Sequence, residues 1–95
     1  MRFEWDEEKN RRNKLKHGVS FDSVIDLFFD SRSIRKRDRD VEGEQRKWLI
    51  GWTRTLTVVV VVHVTREEDG KEIIRIISAR RATRSERLEF EASLQ

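Results

Sequence analysis

The stretch LTVVVVVHVTREEDGKEIIRIISARRATRSERLEFE, Leu56 to Glu91, decides the fold. Its β-branched run from Val58 to Val62 continues through His63-Val64 and reads as a strand, and EIIRIIS from Glu72 reads as another. Asp69-Gly70 between them is a hairpin turn signal. A run as continuous as Val58 to Val62 would aggregate at a sheet edge, which predicts a central strand covered on at least one face. After Ser78 the chain breaks into Arg80-Arg81. Thr83-Arg84-Ser85-Glu86 then has the spacing of a capping box, so strand should turn into helix there, with Phe90 and Leu94 on one face. A strict period of two puts Ile74, Ile76, Ser78 and Arg80 on one face of the last strand. Ile73, Arg75, Ile77 and Ala79 fall on the other, giving each face an arginine.

Further towards the N-terminus, Trp48, Ile50 and Trp52 alternate with Lys47, Leu49 and Gly51 as an earlier strand. Phe21, Val24, Ile25 and Phe28 recur at helical spacing behind Ser20, a candidate cap, and predict a core-facing helix. Asp6 caps a first helix with acids in its first turn, bases towards its end and Gly18 as its stop. The only strong apolar residue inside that segment is Leu15, so it rests on end signals. The expected fold is α+β: one domain over residues 1–95, an antiparallel sheet of about four strands, two N-terminal helices and one C-terminal helix.

Charged residues make up 41% of the 95, yet the net charge is only +3. Function must therefore lie in how charge is distributed. Lys9 to Lys16 holds five bases and no acid, Arg32 to Arg39 five against one, and Lys71 to Arg87 six against two. Converging in space, these segments would attract phosphate; apart, they are solvated faces. There is no cysteine, which excludes disulfides, thiolate nucleophiles and cysteine-ligated zinc and fits a reducing, cytoplasmic setting. No apolar run is long enough for a transmembrane helix or signal peptide, so no membrane partner is expected.

Arg80 and Arg81 precede a helix N-terminus, itself an anion-attracting element, and Arg46 on the earlier strand could face the same site. Guanidinium forks suit phosphate binding and stabilisation of a charged phosphorane. The same arginines could instead pair with Glu86, Glu89 and neighbouring acids. His17, beside Lys14 and Lys16, is a candidate proton carrier or a helix-end cap. His63, in the valine run, reads as a satisfied structural histidine. Asp38, Asp40, Glu42 and Glu44 resemble the start of a calcium loop, but Leu49 stands where that loop needs its bidentate glutamate. Arg37 and Arg39, interleaved, disfavour a magnesium site. No metal and no cofactor is expected, and no nucleotide-binding, dehydrogenase or serine-hydrolase motif is present.

FEWDEEKNRRNKLKHGVSF near the start, GEQRKWLIG in the middle and IRIISARRATRSERLEFE towards the end closely resemble the BrnT family of toxins from bacterial type II toxin–antitoxin systems. KHGVSF and RIISARRA are the most specific parts of the match. The resemblance implies a RelE-like ribonuclease fold that cleaves cellular RNA and arrests translation and growth. It also implies neutralisation by a BrnA-like antitoxin and contact with operator DNA only through that complex. Positions matching the family pattern are Lys16, His17, Gly18, Glu44, Arg46, Arg75, Arg80, Arg81 and Arg84. VTREEDGKE looks like an insertion between the last two strands.

The chemistry these residues fit is metal-independent cleavage, in which the RNA 2′-OH attacks its own adjacent phosphate. Arg46 and Arg80 would serve the phosphate, and His17 or Glu44 would carry the proton. Lys14, Lys16, Arg75, Arg81 and Arg84 would hold the RNA backbone, with binding that weakens as salt rises. The alternative is a non-catalytic nucleic-acid- or partner-binding module that acts as co-repressor in a toxin–antitoxin complex.

Overall fold

The computed structural model describes the backbone of residues 1–95 and every side chain except those of Arg39 and Val41. Arg39, counted in the second basic run, therefore lies outside the described side chains. Strands β1 (Arg2–Glu4), β2 (Ile34–Val41), β3 (Glu44–Trp52), β4 (Val58–Glu68) and β5 (Lys71–Arg81) form one sheet in the order β1-β5-β4-β3-β2. Helix α1 (Glu7–His17) and a 3₁₀ helix (Asp22–Phe29) follow β1, and α2 (Arg84–Ala92) follows β5. β2 to β5 are antiparallel neighbours, whereas β1 pairs in parallel with β5. The sheet is thus five-stranded and mixed, not four-stranded and antiparallel. At only three residues, β1 is too short to show a period.

As the valine run predicts, β4 is central. Val59 and Val61 pack on the back face with Phe21, Val24, Leu27 and Phe28, while Val58 and Val60 pack on the front with Ile50 and Phe90. Glu42 and Gly43, and Asp69 and Gly70, all have positive φ, the backbone that two-residue hairpin turns require.

α1 begins at Asp6, whose carboxylate accepts from the Glu8 and Lys9 amides, and ends at left-handed Gly18. Its docking is polar. Leu15 is 84% exposed, while buried Asn13 donates to the carbonyls of Val19 (2.8 Å) and Ala79 (2.6 Å) and accepts from the Ala79 amide (3.2 Å). One asparagine amide thus takes the place of a neighbouring strand on the open edge of β5, satisfying backbone groups that burial would otherwise orphan. Asn10 accepts from the Phe21 amide at 2.8 Å and so fixes the start of the next helix.

That second helix is 3₁₀ rather than α, and Ser20 does not cap it: its N-cap, Phe21, makes no side-chain cap bond. Three residues per turn place Phe21, Val24 and Leu27 in line, so Leu27 is buried where α spacing points to Ile25. Leu27 lies against Gly51, where an added Cβ would meet Ser33 Oγ at 2.5 Å and Leu27 at 3.3 Å.

β5 departs from strict alternation. Val62 pairs with Ser78 but His63 pairs with Ile76, leaving Ile77 as the extra residue of a β-bulge. The bulge reverses the phase. Ile74, Ile76 and Ala79 all reach the back core, and Arg75, Ser78 and Arg80 all face the front. The expectation of one arginine on each face is therefore corrected.

Candidate active site

α2 covers only one end of the front face. It is held there by the capping box of Thr83 and Glu86 and by Phe90, whose ring meets Trp52 edge-on at 5.4 Å. Beyond Trp48 the front face is uncovered, and Arg46, Trp48, Val62, Val64, Arg75 and Ser78 are all part-exposed. The register sets them in rows. Trp48, Val62 and Ser78 form one, and Val64 and Arg75 the next, with Arg46 beside Val64 when the β3–β4 register is carried one pair further. Two residues of strand separate rows by about 6.6 Å.

Arg80 leans across this face. Its guanidinium lies 5.5 Å from the centroid of the Trp48 ring and makes a two-point ion pair with Glu86 at 2.7 and 2.9 Å. The Trp48 indole N–H is fixed by Asp38 at 2.7 Å. The Arg80 hydrogen bonds hold the Glu86 carboxyl down to about pH 2, the Thr83 amide adding to the effect and partial burial opposing it. Glu86 thus takes two of the five guanidinium N–H groups and leaves the Nε side of the fork for a ligand.

Glu44 and Arg46, four and two residues before Trp48 on β3, fall on the same face by strand alternation. Glu44 and Arg75 line one hollow of about 290 Å³ with Arg66 and Val64. Arg75 lies 3.9 Å from Glu4, which is bound more closely by Arg66. Neither Arg66 nor Ser78 stood among the site candidates; strand alternation alone puts Ser78 on the face of Arg80, whereas Arg66 sits in a charged strand end without pattern.

The remaining candidates stand elsewhere. Lys14, Lys16 and His17 are in the last turn of α1, which ends at Gly18. Arg81 faces the back, in a cleft of about 550 Å³ with Gly18, Asp22, Thr57 and Val59. Arg84 opens α2 and is exposed. Glu44, Arg46, Arg75 and Arg80 thus share one face of the sheet, whereas Lys14, Lys16 and His17 stand on α1, Arg81 on the opposite face and Arg84 at the start of α2.

His63 is buried against Phe28, ring centroids 4.9 Å apart. It is structural but not satisfied. Neither ring nitrogen has a hydrogen-bond partner, the nearby Val61 backbone falling short of bonding geometry. Burial pushes its pKa down to about 4, with Arg35 and Lys47 reinforcing the fall and the Val61 backbone opposing it. Among the described residues, no three His, Asp or Glu side chains are grouped as metal ligands, and no helix is long and apolar enough to cross a membrane.

A small α+β domain with guanidinium groups on an open sheet face presents a surface suited to phosphate oxygens. The family model described as "Ribonuclease toxin, BrnT, of type II toxin-antitoxin system" matches residues 5–86. The chain belongs to that BrnT family. It is similar to the crystal structure of the Brucella abortus ribonuclease toxin BrnT, at 30% identity and a TM-score of 0.64, over 88% of this chain and 99% of that one. No curated protein matches the chain.

Proposed function

We propose that this toxin cleaves RNA on the open front face by metal-independent attack of a 2′-OH on its own adjacent phosphate. The observation that carries the reading is the β5 bulge, which turns Arg75 and Arg80 to the same face as Arg46 and Glu44. Arg80, leaning over Trp48, and Arg46, two residues further along β3, take the scissile phosphate between them. Their fixed charge opposes the charge that builds on the phosphorane. Arg75 and the Ser78 hydroxyl hold neighbouring oxygens. Glu44, on the same face as Arg46, removes the 2′-OH proton as O2′ bonds to phosphorus; the P–O5′ bond breaks, the 5′-oxygen leaves with a proton from water, and a 2′,3′-cyclic phosphate remains, so dependence on that hydroxyl confines cleavage to RNA. Lys14, Lys16, Arg81 and Arg84 attract and steer the strand. Membership of a type II toxin–antitoxin family implies an antitoxin partner as well as an RNA substrate. We take the antitoxin to be BrnA-like and to cover the front face, operator DNA being contacted only through the complex in the cytoplasm.

The occupied Arg80 fork favours a second reading, a module that binds RNA or a partner without cutting. Incubating purified protein with end-labelled single-stranded RNA in excess EDTA separates the two. Fragments ending in 2′,3′-cyclic phosphate, and their loss in Arg80→Ala, are the expected result. RNA that is retained but intact, even with ribosomes or added magnesium, would leave only the binding module.

A further inference from the structure

We propose that Glu86 is a positioning residue for RNA cleavage, acting through Arg80. The inference rests on the ribonuclease reading of the front face. Glu86 is the third helical residue of α2, and its capping role is met by one oxygen: Oε1 accepts from the Thr83 amide at 2.8 Å. The other oxygen, Oε2, has a different use, accepting from Arg80 Nη2 at 2.9 Å, while Oε1 also takes Arg80 Nη1 at 2.7 Å. A cap needs neither of these contacts.

Arg80 is therefore held from two sides. Trp48 supports its flat face, and the end-on pair with Glu86 fixes its rotation about that support. Trp48 is in turn pinned by Asp38 on β2. The sequence Asp38, Trp48, Arg80, Glu86 runs across the front face from β2 to the start of α2. An unrestrained arginine loses much rotamer freedom on binding, whereas this one is already ordered through its two Nη groups, which leaves the Nε–H to a ligand. Ordering before the substrate arrives favours the transition state, because no reorganisation is then needed as charge develops. Side-chain exposures of 30% and 20% for the pair keep the donors within reach of a ligand.

Two substitutions separate positioning from capping. Glutamine also serves as the third residue of a capping box, so Glu86→Gln keeps the Oε1 acceptor but turns an NH₂ donor towards Arg80 Nη2. Thr83→Ala removes the cap and leaves the ion pair. The protein and both variants are compared by thermal melting, by kcat and KM for end-labelled RNA in EDTA, and by the ¹⁵N–¹H signal of Arg80 Nε. Thr83→Ala should lower the melting temperature while kcat and the Arg80 signal stay as they were. Glu86→Gln should remain folded, lose tenfold or more in kcat with a smaller change in KM, and shift the Arg80 signal towards that of a free arginine. A Glu86→Gln protein with unchanged or raised kcat would overturn the proposal, a rise meaning that the carboxylate only competes with substrate. An unmoved Arg80 signal would overturn it as well. If the parent protein cuts no RNA, the ribonuclease reading fails, and the Arg80 signal still decides whether Glu86 orders Arg80.

Discussion

Replacing Asn13 with alanine should unfold this protein more readily than any change on its charged surface. The side chain is 8% exposed and makes three hydrogen bonds, all to the backbone of Val19 and Ala79, residues that are themselves buried. Each such bond contributes about 1 kcal/mol, and each buried group left without a partner costs about 1 to 3 kcal/mol. Asn13→Ala should therefore cost about 3 to 5 kcal/mol, against a total stability of roughly 5 to 14 kcal/mol for a chain of this length. Urea unfolding followed by tryptophan fluorescence reads the change directly. The midpoint should fall by about 2 M with an unchanged slope, and the melting temperature by on the order of 15 °C. A loss below about 1 kcal/mol, the scale of a surface substitution, would refute the claim that this amide completes the edge of β5.

Three further outcomes follow from the same geometry. His63 has a folded pKa near 4, below its unfolded value of about 6.5, so between those limits the unfolded chain binds more protons and stability falls as pH falls. Up to about 3 kcal/mol should be lost in that window, and His63→Leu should flatten the dependence of melting temperature on pH; an unchanged slope would show that the ring is not the titrating group. Gly51→Ala should cost about 1 to 3 kcal/mol by overpacking, since its Cβ would sit 2.5 Å from Ser33 Oγ and 3.3 Å from Leu27; a neutral effect in chemical denaturation would mean that the Ser33 hydroxyl swings away and Leu27 yields. Glu44→Gln should reduce cleavage about 100-fold or more, as removal of a general base does, while His17→Ala should change it only a few-fold. The reverse ranking in the same cleavage assay would move the proton carrier to α1.

Much of this fold is legible in local chemistry. Asp6, Gly18, Asp69-Gly70 and the Thr83–Glu86 box occupy the positions their side chains and backbone preferences dictate. The valine run had to be central because nothing else in the chain could bury both of its faces. What escaped depends on partners remote in sequence. Asn13 reaches residue Ala79, and no spacing within α1 announces that its buried side is polar. β1 exists only because β5 offers it an edge. The 3₁₀ helix buries Leu27 in place of Ile25 because its period is three, a difference eight residues cannot reveal in advance. The bulge at Ile77 had the largest functional consequence, since a single extra residue decides whether Arg75 and Arg80 oppose each other or share a face. Residue types pointed to Arg46 and Arg80 and the family resemblance added Glu44 and Arg75, but that all four share a face lay in the register.

The central claim, that chemistry takes place on the front face and steering around the end of β5, is tested most directly by comparing Arg46→Ala with Arg81→Ala. Both proteins, with the parent, are assayed for kcat and KM on one end-labelled RNA in EDTA. Arg46→Ala should lower kcat by 100-fold or more, the usual effect of removing a transition-state donor, whereas Arg81→Ala should raise KM and leave kcat near the parent value. A kcat that survives Arg46→Ala and collapses in Arg81→Ala would place the reaction in the cleft on the opposite face.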